Sequence, residues 1–358
     1  MNHQRIKNLN EIMDRENLCQ MLITDPSSIF YLTGQIISPG ERLLALLIKT
    51  DEAPKLFINA LFPIKEEKDL DFIWLKDEDD GVGILSNYVQ SDRVLGIDKN
   101  WPAGFLIDLM EKRENLKIKN SSPLIDGLRM IKDQNEIKFM KEASRINDEA
   151  MMLLIDALEE SMTEKDMETK LLEIYKELGA DGFSFIPIVA YGKNGADPHH
   201  ENDDSLLKPG DSIIMDIGCY KDQYASDMTR TIFYKEVSPK GKEVYETVLK
   251  ANEEAIKKIK PGVSFSDIDL AARKVIEDQG YGAYFTHRTG HNIGIEVHEK
   301  PDVSSSSTGL LEEGMIFSVE PGIYLEGELG VRIEDLVLVT EDGALNLNAY
   351  GKALFVKP

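Results

Sequence analysis

The sequence predicts an α/β (α+β) protein of two domains, a smaller N-terminal α/β domain over residues 1–128 and a larger C-terminal domain over 129–358. Three observations carry this expectation. The 358 residues exceed what one compact core usually covers. Short apolar runs alternate with helical stretches through the first third of the chain. Beyond it, long amphipathic helices give way to strands, and the same order then returns.

Within the first third, MLITD, LLALLIK, KLFINA, FIWLK and RVLGID read as strands. Ser121, Ser122 and Pro123, followed by Asp126 and Gly127, read as a connector and put the boundary near residue 128. A helix is expected from about Gln134 to Leu158, because Ile137, Met140, Met151, Leu154 and Leu158 fall on one face. A second starts near Thr163 and stops at Gly179, a residue suited to the left-handed C-terminal position. Strands follow to about Tyr234. Ser238 and Pro239 then open a third helix that ends before Pro261 and Gly262, Ser266 caps a fourth that ends at Gly280, and strands run to Val339. This repeated order suggests an internal duplication. LKPGDSIIMDIG (207–218) superposes on LEEGMIFSVEPG (311–322) with Gly210 on Gly314 and Gly218 on Gly322, which also pairs Asp216 with Glu320.

Composition narrows the function. The 41 basic against 64 acidic residues give a net charge of -23, which disfavours nucleic acid and anionic membrane as partners because both would be repelled. Cys19 and Cys219 are far apart and in no metal-ligand spacing, so neither a disulfide framework nor a thiolate zinc site is indicated. The first residues lack an apolar signal core and no stretch approaches the length of about 18 apolar residues needed for a span, so the cytoplasm is the expected location.

Chemistry concentrates in three segments. SIIMDIGCYKDQYASDMTRTIFY reads as a hairpin turning around Lys221 to Gln223, with Asp216 and Asp227 one on each arm. Facing carboxylates repel, so one must take up a proton unless a cation sits between them; a solvent-facing Asp at a sheet edge is the alternative. MIFSVEPGIYLEGELGVRIEDLVLV again places acids, Glu320 and Glu334, on two strands joined by a Gly-rich turn. With period 2, Arg332 and Glu334 share one face, and Val331, Ile333 and Asp335 the other. Between these lies HRTGHNIGIEVHE, with His287, His291 and His298, half of the six histidines. Four carboxylates and one imidazole sum to a charge of about -4, which two divalent cations would cancel. Oxygen-rich ligation with one histidine suits Mn²⁺ or Co²⁺, with Zn²⁺ or Fe²⁺ also permitted.

These segments, with SVEPGIY and GVRIEDLVLV, resemble the motifs of the aminopeptidase P and prolidase (Xaa-Pro dipeptidase) group of metallopeptidases. ITDPSSIFYLTG resembles the start of the N-terminal domain that accompanies this group and creatinase. The resemblance implies a pseudo-symmetric pita-bread catalytic domain, in agreement with the duplication, and a homodimer. It makes Asp216 a ligand of the first metal, Asp227 and Glu334 the bridging carboxylates, and His291 and Glu320 ligands of the second. His199, in GADPHHEN, matches a substrate-side histidine, His298 one that contacts the scissile region, and His287 one lining the pocket. The chain departs from the pattern at His200, where tyrosine is common, and Asn292, where glycine is common.

The implied reaction is hydrolysis of the bond between an N-terminal residue and proline. A water held between two ions roughly 3.5 to 4 Å apart has its pKa lowered toward about 7 and attacks the carbonyl. Glu320 shuttles a proton to the leaving nitrogen and His298 hydrogen-bonds the developing oxyanion. Arg332 holds Glu334 by an ion pair, clamps a substrate carboxylate, or does both. Tyr324 is a packing residue or a substrate contact, and Phe183, Phe185 and Ile186 are expected in the core, with a lining of the proline pocket by some of them as the alternative. A methionine-aminopeptidase-like activity and a non-catalytic peptide-binding module of the same fold are the alternatives.

Overall fold

The apolar runs of the first third lie side by side in one mixed sheet. In the computed structural model, which describes residues 1–358, strands β1 (Gln20–Ile23), β2 (Ala45–Lys49), β3 (Lys55–Asn59), β4 (Asp71–Leu75), β5 (Leu95–Ile97) and β6 (Ile118–Asn120) take the order β4-β3-β2-β1-β5-β6. Strand β1 runs antiparallel to β2 and parallel to β5. Every residue of β1 and β2 is buried, so both read as continuous apolar runs rather than as alternating ones. Helices α1 (His3–Arg15), α2 (Pro26–Thr33), α3 (Gly81–Ser86), α4 (Ala103–Lys112) and α5 (Ser122–Met130) are interspersed with them. The chain divides into the units Met1–Arg129 and Met130–Pro358.

Helix α5 corrects the expectation of a loop connector at residues 121–127. Pro123 falls in its first turn, where a missing N–H breaks no hydrogen bond. Ile125 and Arg129, four residues apart, are both buried, and Arg129 Nη1 lies 3.2 Å from Asp25 Oδ2 at the cap of α2. That burial outweighs the turn character of the Ser-Pro and Asp-Gly pairs.

The second unit opens with α6 (Gln134–Ala157) and α7 (Glu164–Leu178), followed by β7 (Gly182–Phe183), β8 (Ile188–Tyr191), β9 (Ser212–Ile217), β10 (Cys219–Lys221), β11 (Tyr224–Ala225) and β12 (Met228–Tyr234). Then come α8 (Pro239–Lys258), α9 (Phe265–Asp278), β13 (Gly290–Asn292), β14 (Glu299–Val303), β15 (Ile316–Val319), β16 (Gly322–Leu325), β17 (Leu329–Arg332), β18 (Asp335–Val339), β19 (Ala344–Asn346) and β20 (Val356–Lys357). Two short strands thus lie beyond the expected end at Val339. Met151, Leu154 and Leu171 of α6 and α7 pack on Val189, Met215 and Met228 of one sheet, ordered β20-β12-β9-β8. Val248, Ile268 and Ala272 of α8 and α9 pack on Phe317, Val319 and Val337 of the other, ordered β14-β13-β15-β18-β19.

The duplication is visible in detail. Gly210 and Gly314 have φ of 90° and 91°, and each N–H donates to the last residue of a strand, Tyr234 at 2.8 Å and Val339 at 3.0 Å. A side chain would be strained at both turns, which fixes glycine there. Buried Asn147 of α6 donates to the Ile217 carbonyl at 2.9 Å, and buried Asn252 of α8 to that of Val319 at 2.8 Å. These bonds anchor each first helix over the strand end that precedes an acidic or glycine-rich turn. The cap of α9 is Ser264, not Ser266: Ser264 Oγ accepts from the Asp267 N–H and Asp267 reaches back in a capping box. The carboxylate that Ser266 would have needed, Asp269, is committed to Thr289 and Arg273 instead.

Candidate metal centre

Strand register sets the first acidic pair. β9 and β12 are antiparallel with Asp216 opposite Thr229, and the intervening β10–β11 hairpin turns at Asp222 and Gln223, both at positive φ. The expected hairpin is therefore present, with its ladder broken at Gly218 and at Ser226–Asp227. Asp227 stands in that second break rather than within a strand. Glu320 and Glu334 likewise stand at breaks, after β15 and between β17 and β18, where their N–H groups donate to the Thr289 and Thr229 carbonyls at 2.7 and 3.1 Å. Side chains at such breaks leave the pleat and turn toward one point. His291 comes from β13, its N–H donating to Ser318 Oγ at 3.0 Å.

All five residues line one cavity of about 820 Å³ together with His199, His287, Arg288, His298 and Arg332. Donor atoms of Asp227, His291 and Glu334 lie within 4.8 Å of one another. His291 Nε2 is 3.7 Å from Asp227 Oδ2 and 3.5 Å from Glu320 Oε1. Its Nδ1 faces the Asn292 carbonyl at 3.2 Å and so carries the proton, which leaves the Nε2 lone pair aimed at the carboxylates.

The electrostatics of the site call for compensation by protons or by cations. Asp216 Oδ1, Asp227 Oδ1 and Glu334 Oε1 are buried oxygens with no hydrogen-bond partner, a rare and costly condition for a carboxylate. Burial, then the neighbouring Glu334 and Asp216, holds the Asp227 carboxyl well above its usual range. Burial, then Glu320 and Asp216, does the same to Glu334. Glu320 is pushed up to about 7, mainly by burial, and His291 down to about 3 for the same reason. Three orphaned carboxylate oxygens and a neutral imidazole lone pair, converging on one space, fit divalent metal ions.

Residues 138–341 match metallopeptidase family M24, and residues 5–131 match the Creatinase/Prolidase N-terminal domain. The chain belongs to metallopeptidase family M24. It is 34% identical to the Xaa-Pro dipeptidase of Pyrococcus horikoshii over 347 positions, covering 96% of this chain and 97% of the relative. The prolidase of Thermococcus sibiricus superposes with a TM-score of 0.94 at 33% identity, covering 99% of each chain. The Xaa-Pro dipeptidase of Bacillus anthracis superposes with a TM-score of 0.91 at 30% identity, again covering 99% of each. No helix is long and apolar enough to cross a membrane.

Around the acids of this M24 site runs a chain of polar side chains. Arg332 Nη2 donates to Asp216 Oδ2 at 2.7 Å, its Nε to Thr229 Oγ1 at 3.2 Å and its Nη1 to the Tyr324 hydroxyl at 3.0 Å. Arg332 thus pairs with Asp216, not with Glu334 on its own face. Glu334 is held instead by Thr229 Oγ1 at 2.8 Å, because the Ile333–Glu334 break ends the simple alternation. Tyr324 is buried and absent from the cavity wall; its hydroxyl lies 2.7 Å from His287 Nε2. His287 Nδ1 faces the Arg288 carbonyl at 2.7 Å, so Nε2 accepts and Tyr324 donates. Burial and Arg332 push His287 down to about 4, which keeps that imidazole neutral.

Several contributors escape the sequence reading. Of the three apolar residues weighed between core and pocket, Phe185 and Ile186 line the cavity, Ile186 being 80% exposed; Phe183 alone packs on the core. Ile188 and Val297 add to the apolar wall. Arg288 lines the cavity with its Nε buried and without a partner. It sits in HRTGH between the two histidines that drew attention, and only its orientation marks it.

Proton release follows from these shifts. Folded-state carboxyls held above their ordinary range favour the protonated protein, a stabilisation present at low pH and lost as pH rises through about 7 for Glu320. Cations compete with those protons, so metal affinity is expected to rise with pH from 6 to 8 and binding near neutrality to expel protons. Calorimetry of metal addition in buffers of different ionisation heat measures this; zero proton release at pH 6.5 would contradict the shifts.

Proposed function

We propose that this chain is an Xaa-Pro dipeptidase that cuts the bond between an N-terminal residue and proline, using two divalent cations. The observation that carries the reading is the convergence of orphaned carboxylate oxygens and the His291 lone pair on the wall of a cavity sized for a small peptide. We assign Asp216 to the first ion, Asp227 and Glu334 to both, and His291 and Glu320 to the second. Manganese fits this oxygen-rich set best, with cobalt next. Bound there, the cations supply Lewis acidity and lower the pKa of a water.

The chain's own groups do the rest. Glu320, a carboxylate on the cavity wall beside His291, is suited by position to take a proton and return it to the departing proline nitrogen. His298 is exposed on the cavity wall with its ring centroid 4.3 Å from that of His291, which suits it to hydrogen-bond the oxygen that gains charge as the carbonyl is attacked. His199, also on the cavity wall, is a second substrate-side donor. Arg288, whose Nη1 pairs with Asp302 at 3.5 Å while its buried Nε has no partner, is positioned on the cavity wall to meet a dipeptide's C-terminal carboxylate. Arg332, committed to Asp216, orients that ligand instead of gripping substrate. A bond before proline lacks an N–H, and recognition through terminal charges and the carbonyl does not need one.

The deciding assay compares Ala-Pro with a longer Xaa-Pro-Xaa peptide after manganese loading. Turnover of the first alone supports the dipeptidase; preference for the second replaces it with an aminopeptidase P, and turnover of neither by metal-loaded protein leaves a peptide-binding module. His298→Ala is expected to keep full metal content and lose about 10²-fold in kcat with little change in KM. Loss of metal would move His298 into the ligand set. The two free cysteines suit a reducing cytoplasm, and the homodimer that the family resemblance implies is tested by sedimentation.

A further inference from the structure

We propose that Glu164, which lies outside the cavity wall, is the positioning residue that holds His199 against the substrate, acting through a latch with His200. This rests on the reading of His199 as a substrate-side group. Glu164 is the first residue of α7 and is 0% exposed. Four donors meet its carboxylate: the Tyr191 N–H at 2.8 Å and Asn194 Nδ2 at 2.9 Å on Oε1, and His200 Nε2 at 2.6 Å and the Asp203 N–H at 2.9 Å on Oε2. Glu164, His200 and Asp203 stand close enough to share a cation, but four donors fill the lone-pair sites of the Glu164 carboxylate. Its binding capacity is spent on the chain itself.

The donors are distributed along one segment. Tyr191 is the last residue of β8 and Asp203 lies at the far side, while Asn194 and His200 lie between them. Few main-chain bonds shape this stretch: the Asp197 N–H reaches the Asn194 carbonyl at 3.1 Å and that of His200 reaches Asp197 at 3.2 Å. The carboxylate of Glu164 ties both ends and the middle of the loop, alongside the bonds of Asn202, and the His200 bond fixes the peptide next to His199. The His199 N–H is set in turn by Asp197 Oδ1 at 3.0 Å. His199 is exposed along the cavity wall; Asn202, three residues on, also pins the loop through the Val189 N–H, Glu168 and the Pro187 carbonyl, but the bond at the residue adjoining His199 is that of His200 to Glu164.

A mutant cycle on the manganese-loaded enzyme with Ala-Pro tests the latch. Glu164→Gln keeps the size but loses acceptor sites, and is expected to lower kcat/KM about ten- to a hundred-fold with unchanged metal content. In a His199→Ala background the same change is expected to add less than about two-fold, because both remove one function. His200→Phe should reproduce the loss, and His200→Tyr, whose hydroxyl can donate to the same oxygen, should restore most of it. Intact kcat/KM in Glu164→Gln or His200→Phe, or losses that multiply with that of His199→Ala, would overturn the latch. Should Glu164→Gln fail to fold, His200→Phe, which deletes one bond of the four, carries the cycle alone. Unchanged kinetics in His199→Ala by itself would remove the substrate-side reading of His199 and the latch with it, a result distinct from failure of the latch only.

Discussion

Glu334→Gln is expected to abolish turnover, lowering kcat by at least about 10³-fold, and to strip metal from the protein while leaving the fold intact. The side-chain carbonyl of glutamine can still accept from Thr229 Oγ1, the bond that now holds Glu334 at 2.8 Å. The change falls on Oε1, a buried oxygen with no partner in the chain. An amide NH₂ placed there points hydrogens where the proposed cations need a lone pair. Asp227→Asn should behave alike, since Asp227 Oδ1 is orphaned in the same way. A second readout separates this from general damage. Glu334 is a buried acid whose carboxyl is held well above its usual range, so at a pH where the unfolded chain's carboxyl is ionised, keeping it buried without metal destabilises the protein. Metal-free Glu334→Gln should therefore melt at or above the temperature of the metal-free parent at that pH, although metal-loaded parent protein melts higher than either. A variant that binds a full complement of metal and turns over normally would sink the bridging assignment.

The four acids that line this cavity stood out in the sequence because acids interrupting apolar strands are conspicuous, and the pairing of Asp216 with Glu320 by an internal repeat made two of them a pattern; His291 was singled out from its neighbouring histidines only by the family resemblance. Their mutual arrangement was not legible. Period-2 alternation places Arg332 on the same face as Glu334, yet it says nothing of which carboxylate it meets; the register that sets Asp216 opposite Thr229 decides that. Register across β9 and β12 depends on the breaks at Gly218 and Ser226–Asp227, which no local pattern announces. Helix α5 was read as a connector because Ser-Ser-Pro and Asp-Gly carry turn chemistry, whereas the Asp25–Arg129 ion pair that holds it is made between residues 104 apart. Glu164 illustrates the same limit. An acid at a helix start reads as a solvated group favoured by the helix dipole, and only the folded loop shows its oxygens fully engaged.

Gly330→Ala is expected to be the most damaging single-methyl change in the catalytic unit. A Cβ at Gly330 would lie 1.7 Å from the Gly195 carbonyl oxygen and 2.4 Å from its carbon. Both are main-chain atoms, so no side-chain rotation relieves the clash and one segment must move. The two segments that meet there carry different parts of the site: Gly330 lies in β17 two residues before Arg332, and Gly195 opens toward His199. Separating them displaces the guanidinium that orients Asp216 and withdraws the loop that Glu164 ties. Destabilisation of about 3 kcal/mol is expected from the overpacking, a fall of roughly 10 °C in Tm for a unit of this size, with kcat/KM falling further than Tm alone explains. Gly104→Ala supplies the contrast, because a Cβ there meets nothing within 4 Å in helix α4, and alanine in a helix is favoured over glycine by about 0.5 to 1 kcal/mol. If Gly330→Ala melted and turned over like Gly104→Ala, the close approach of β17 to the His199 loop would not be a determinant of the site, and the coupling drawn between Arg332 and that loop would have to be given up.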